Sequence, residues 1–194
     1  GNVTGAPALI GIGTDMFSTA ARVDIDLGNT ILDDSSKENM FEGAGGTVDI
    51  DGATIPEGTK MFYGFSGNVG GTPASIGIGI NMFRGVTRVD IDLGNTTLDV
   101  SSKHYMFTDA NGVVNITEAT ISKGISMFYR FYGDVSGAPA SIRIGASMFA
   151  YATHVDMDLG ATALDGSSYG NMFYAANGVV DITNATIPNG ELMF

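Results

Sequence analysis

Across 194 residues the chain carries 21 acidic against 9 basic side chains, a formal charge of −12. That balance excludes a nucleic-acid footprint, which needs clustered Lys and Arg, and it excludes charge-driven docking on an anionic membrane. With 44% hydrophobic residues, no cysteine and no apolar run near the ~20 residues of a bilayer span, the chain can build a continuous core but no disulfide, thiolate metal site or transmembrane helix.

Taken from the start, Ala8-Leu9-Ile10-Gly11-Ile12-Gly13 recurs as Ala74-Ser75-Ile76-Gly77-Ile78-Gly79 and as Ala140-Ser141-Ile142-Arg143-Ile144-Gly145. Apolar residues on alternate positions predict a short strand in each copy. Each copy is followed by Met-Phe, and this dipeptide is the ruler of the whole sequence. It stands at Met16, Met40, Met61, Met82, Met106, Met127, Met148, Met172 and Met193, at spacings of 24, 21 and 21 that then repeat. The unit is therefore 66 residues, with copies starting at Met16, Met82 and Met148 in a single array over 1–194. Gly1 aligns with Gly67 and Gly133, so the chain opens and closes within a unit and reads as a segment of a longer array.

The 24-residue coil contains Val23-Asp24-Ile25-Asp26-Leu27, with Asp90/Asp92 and Asp156/Asp158 in the later copies. The period of two puts the apolar residues inward and both carboxylates outward. Gly28-Asn29 reads as a turn, and Ser35-Ser36 as a polar bend or one helical turn. The first 21-residue coil carries Val48-Asp49-Ile50-Asp51 and then Ala53-Thr54-Ile55-Pro56; the second adds aromatic residues, Phe62-Tyr63-x-Phe65 and Phe128-Tyr129-x-Phe131. No stretch offers an apolar stripe for a three-turn helix. A coil of short strands cannot bury its apolar face alone, whereas stacked coils can. The predicted fold is a mainly β repeat solenoid of about nine stacked coils of 21–24 residues.

The run Ala53-Thr54-Ile55-Pro56-Glu57-Gly58-Thr59-Lys60-Met61-Phe62 resembles the corner of the BspA-like leucine-rich repeats of bacterial surface proteins. The closing Met-Phe is similar to that of the related surface-lipoprotein repeats. Met stands where the first group has a small residue, and the 21-residue coils are short for the family. The resemblance implies a leucine-rich-repeat-like horseshoe, with a generic β-solenoid as the competing reading of the coils, and display extracellularly or at the cell surface. It also implies adhesion without catalysis.

Candidate functional residues fall into three sets. Phe17, Phe41, Phe62, Phe83, Phe107, Phe128, Phe149 and Phe173 read as a structural spine, with Met filling gaps between stacked rings. Asp24/Asp26, Asp49/Asp51, Asp90/Asp92 and Asp156/Asp158 place paired carboxylates on one strand face. Stacking is expected to bring Asp49 beside Asp24 and Asp181 beside Asp156, a repulsion that calcium would relieve. No looped calcium motif accompanies them, and Arg22 and Arg88 offset part of the charge, so a solvated acidic face is the competing reading. The third set, Tyr63, Phe65, Tyr129, Arg130, Phe131 and Tyr132, departs from the repeat and offers the aromatic and guanidinium groups favoured at recognition surfaces. Its competing reading is extra core with a tyrosine rim.

Three weaker signals complete the reading. The hydroxyls of Thr54, Ser75, Thr120, Ser141 and Thr186 make a single rank, where an ice-binding face needs two. His104 and His154 are isolated. Asn2, Asn95, Asn115 and Asn184 head glycosylation sequons that a Thr-rich repeat produces by chance. The expected function is a non-enzymatic extracellular module whose partner is a protein or glycan on another cell or matrix. The alternative is a structural fibre segment of a cell appendage or phage, with neighbouring copies of the same chain as partners. A carbohydrate-active solenoid enzyme would need carboxylates converging in a groove.

Overall fold

Val, Ile and Leu on alternate residues, cut into short runs by Gly, Asn and Asp, leave the chain one way to bury its apolar face: each run lies beside the next. A computed structural model describes residues 1–7, 14–32, 38–55, 59–77, 79–98, 104–162, 170–187 and 194. Its strands in chain order begin with β1 (Asn2–Gly5), β2 (Arg22–Asp26), β3 (Gly45–Asp49), β4 (Thr54–Ile55), β5 (Ser66–Gly71), β6 (Ser75–Ile76) and β7 (Arg88–Asp92). They continue with β8 (Thr97–Leu98), β9 (Gly112–Asn115), β10 (Thr120–Gly124), β11 (Asp134–Gly137), β12 (Ser141–Ile144), β13 (His154–Asp158) and β14 (Gly178–Asp181). All pairings are parallel, and no helix is present among the described residues.

The result is a β-solenoid. One side is a nine-stranded sheet in the order β1-β2-β3-β5-β7-β9-β11-β13-β14. A second side carries the short ladders β4-β6 and β8-β10-β12. The third side is the column of Met-Phe corners. Both faces are described from Ile31 to Thr186, and the winding amounts to about seven full turns, fewer than the nine coils that the Met-Phe marks suggest. The Ser-Ser bends, Pro56, Pro188 and the tail at residues 8–13 lie outside the described residues.

The corners explain why Met-Phe recurs. Phe41 N–H donates to the Met61 carbonyl at 2.7 Å, and Phe17, Phe62, Phe83, Phe107, Phe128 and Phe149 repeat the bond to the next coil's Met. The rings stack in the same column, with neighbouring centroids 4.9–5.4 Å apart from Phe17 to Phe194. That spacing suits both an offset ring pair and the ~4.8 Å between strands, so the two ladders rise in step. All eight spine phenylalanines are buried, as is Met from Met40 to Met172.

Each corner is two consecutive turns, closed for example by Glu42 N–H to Asn39 O and Ala44 N–H to Phe41 O, both 3.1 Å. This geometry requires left-handed backbone at the residue before Met and again three residues after it. Asp15, Asn39, Lys60, Asn81, Tyr105, Ser126, Ser147 and Asn171 fill the first position, all with φ between 50° and 59°. The second holds Gly43, Gly64 and Gly85, but also Thr19, Asp109, Arg130, Tyr151 and Ala175. A residue with a Cβ costs roughly 1–2 kcal/mol at such a position.

Register differs from expectation. Val23 faces Gly46 and Ile25 faces Val48, so Asp24 lies beside Thr47 and Asp49 beside Asp26. Likewise Asp181 lies beside Asp158 and not Asp156. Five residues separate Phe17 from Val23 but only four separate Phe41 from Gly46, which sets a 23-residue offset. Glycine is required where β5 enters the sheet: a Cβ on Gly67 would fall 2.0 Å from the Gly46 carbonyl oxygen, so no other residue fits.

Phe62 has stacked rings on both sides and the edge of Phe65 against it at 6.1 Å. Phe62→Ala is expected to cost about 3–5 kcal/mol, read by chemical denaturation; a loss below about 1 kcal/mol would show that the column is not a stability element.

Candidate functional site

Outward aspartates on β2, β3, β7 and β13 form the acidic face, and each spends its charge on backbone amides. Asp24 Oδ1 accepts from Thr47 N–H of the next coil at 3.0 Å, Asp90 from Val113 N–H at 3.1 Å and Asp156 from Val179 N–H at 3.0 Å. The second member of three pairs, and Asp49 of the fourth, caps its own turn: Asp26 accepts from Gly28 N–H, Asp49 from Asp51 N–H, Asp92 from Gly94 N–H and Asp158 from Gly160 N–H, all within 3.0 Å. Asp51 accepts from Thr72 N–H at 3.2 Å. Arg22 and Arg88 pair with Asp24 and Asp90 at 2.5 Å, and His154 lies between Asp134 and Asp156 at 3.4 and 3.5 Å.

The proposed calcium ligands therefore stand in a line as amide acceptors. Among the described residues no three His, Cys, Asp or Glu side chains converge closely enough to hold a cation. Asp181 continues the line, and the Thr183 hydroxyl and then the Thr183 amide hold its carboxyl below the ordinary carboxylate range. The single hydroxyl rank is present as Thr54↔Ser75 and Thr97↔Thr120↔Ser141, with Ile31 in line beside Thr54.

The aromatic set divides. Phe65 and Phe131 are fully buried, packed edge-on against Phe41/Phe62 and Phe107/Phe128 at 5.9–6.3 Å. They are core and cannot touch a ligand, because three residues beyond Phe62 or Phe128 the chain has turned back onto its own ring column. Tyr63 and Tyr129 are half-buried, and Arg130 and Tyr132 are exposed.

Stacking adds residues that the sequence scatters. Arg84 lies over the Tyr105 ring at 5.7 Å, and its guanidinium is 3.9 Å from Asp109. Asp109 also meets Arg130 at 3.3 Å, and Arg130 donates to the Tyr132 hydroxyl at 3.0 Å. Beyond Arg130, Tyr129 packs edge-to-face with Tyr151 at 5.7 Å, and Tyr151 with Tyr174 at 5.4 Å. Arg84 to Tyr174 is thus an unbroken surface ridge over five consecutive corners. The hydrogen bond to Tyr132, and then Asp109, raises the Arg130 pKa, so its charge is fixed. Crowding out of water, then Tyr174 and Tyr129, raises that of the Tyr151 phenol, which stays neutral.

Arg84, Tyr105, Asp109, Tyr151 and Tyr174 were invisible as a group because they sit at different offsets from Met-Phe: one before Met, two after it or three after it. Numbering each residue from its own corner would have revealed them. Four ridge residues (Tyr105, Asp109, Arg130 and Tyr151) occupy the strained left-handed positions. One unit earlier the last three positions hold Gly43, Gly64 and Gly85.

Comparison with family models, curated proteins and solved structures finds no match to this chain.

A lowered carboxyl pKa stabilises the fold above the unfolded value and loses that contribution as pH falls through it. Asp181→Asn is therefore expected to lower the melting temperature near pH 7, with the gap to the parent narrowing as pH falls below about 4. Thermal melts across that range test it; a gap independent of pH would contradict the assignment.

Proposed function

We propose that this protein is a non-enzymatic, extracellular or cell-surface repeat module, and that the Arg84–Tyr174 ridge is its adhesive surface for a protein or glycan on another cell or matrix. The observation that carries the reading is the strain. Bulky side chains occupy left-handed backbone at Arg130 and Tyr151, where the equivalent positions one unit earlier hold Gly64 and Gly85. Backbone strain of this kind is held where a side chain is needed for something other than folding. Tyr and Arg are also the residues that dominate binding energy at recognition surfaces.

Further support comes from the rest of the surface. The carboxylates, the groups an enzyme of this architecture would use, are committed to backbone amides along a line. The resemblance of the Ala53–Phe62 corner to BspA-like surface repeats points the same way, to display and adhesion. A stack of parallel coils is also a stiff support, so the ridge is presented without the entropy cost of ordering a loop.

Replacing Arg130 and Tyr151 by the glycines found one unit earlier separates binding from folding. Beads coated with the Arg130→Gly/Tyr151→Gly protein are expected to lose adhesion to cells or matrix by at least about tenfold, with a melting temperature equal to or above the parent's. Equal adhesion of parent and variant, or no adhesion by the parent, would contradict the reading.

A further inference from the structure

The ridge is small, and its size and chemistry narrow the ligand. Tyr105, Tyr132, Tyr151 and Tyr174 are 41–49% exposed; at 150–250 Å² per aromatic side chain they offer roughly 350 Å² together. That is within the range of the largest, often functional, patch on an ordinary monomer. It is less than half of the ~800 Å² that one partner contributes to a stable protein–protein interface. The strip is also narrow. It spans five corners, about 19 Å of coil stacking, while its width is that of single side chains.

A slender chain fits such a strip better than a globular surface does. The groups along it are phenols and guanidinium–carboxylate pairs, so apolar ring surface alternates with donors and acceptors at the rim. A pyranose has the same duality: an apolar face of C–H groups with hydroxyls around its edge. Sugar rings recur along an extended β-linked chain at close to the spacing of the coils, so about four of them lie over five corners.

Charge decides against a polyanion. Arg84 and Arg130 share Asp109, leaving one unneutralised positive charge on the ridge of a chain whose net charge is −12. With ordinary salt screening at about 10 Å, that single charge gives an anionic polymer no continuous track.

We infer that the ridge binds a neutral, linear β-linked polysaccharide, laid along the solenoid axis with sugar rings against the exposed Tyr151 and Tyr174, which stand edge to face, and hydroxyls on Arg84, Asp109 and Arg130. The inference rests on the adhesive reading of the same ridge. Stacking supplies the affinity, and the Arg–Asp–Arg row, which keeps a single net positive charge, supplies direction-specific hydrogen bonds to neutral hydroxyls. Binding is consequently insensitive to salt.

Calorimetric titration of the intact protein with cellohexaose, mannohexaose and the β-linked N-acetylglucosamine hexamer tests this, with heparin as the anionic comparison. At least one neutral hexasaccharide is expected to bind, with affinity unchanged between low and physiological salt. Tyr151→Gly is expected to weaken it by about tenfold, whereas Thr19→Gly, at the matching corner position outside the ridge, leaves it unchanged. Binding of heparin alone, or equal hexasaccharide binding by parent and Tyr151→Gly, would overturn the inference. If no hexasaccharide binds or competes while the double-glycine variant still loses bead adhesion, the glycan assignment fails and the adhesive surface stands. If adhesion is also unaffected, both fail.

Discussion

Every coil of this protein is held to the next at its corner, where a backbone N–H···O=C bond and a pair of stacked phenylalanine rings act over the same interval. Eight ring pairs at 4.9–5.4 Å contribute on the order of 0.5–1.5 kcal/mol each beyond their burial. Together that is comparable to the net stability of a whole domain, about 5–15 kcal/mol. The column fixes the coil spacing, and the sheet follows it. The left-handed corner residues are the opposing cost, tolerated because the rings and amide ladder on the inner side over-determine the turn.

The same geometry places function on the outer side of the corner. A side chain on the tight turn projects from the solenoid's edge, and identical turns repeat every coil, so residues far apart in sequence line up. Arg84 and Tyr174 are 90 residues apart in the chain yet belong to one ridge. The acidic face on the long sheet serves a different end. Its carboxylates cap turns and reach to the amides of neighbouring coils, which offsets the repulsion between Asp26 and Asp49 or Asp158 and Asp181, paired across the sheet.

What was legible in the sequence follows from periodicity. Met-Phe spacing gave the coil, and Val23-Asp24-Ile25-Asp26-Leu27 gave a strand with its apolar side inward, because both signals are local. Three things were not. Register depended on one residue more between ring and strand in the first coil than in the second, a difference that no local pattern carries. The corner's left-handed positions were hidden because Asp, Asn, Lys, Ser and Tyr fill them as well as Gly. The ridge was only partly visible: Tyr129, Arg130 and Tyr132 stood out beside Met127-Phe128, while Tyr105, Tyr151 and Tyr174 did not share their offset. Phe65 and Phe131 misled for the opposite reason, since an aromatic surplus in sequence became core once the chain turned over the ring column.

The corner column as the structural spine is tested most directly by native-state amide hydrogen exchange. The Phe41, Phe62, Phe83, Phe107 and Phe128 amides, each bonded to the next coil's Met carbonyl, are expected to exchange only through global unfolding, with one common opening free energy. Exchange of these amides at the rate of the intervening turns, while the long-sheet amides stay protected, would show that the sheet and not the corner holds the coils together.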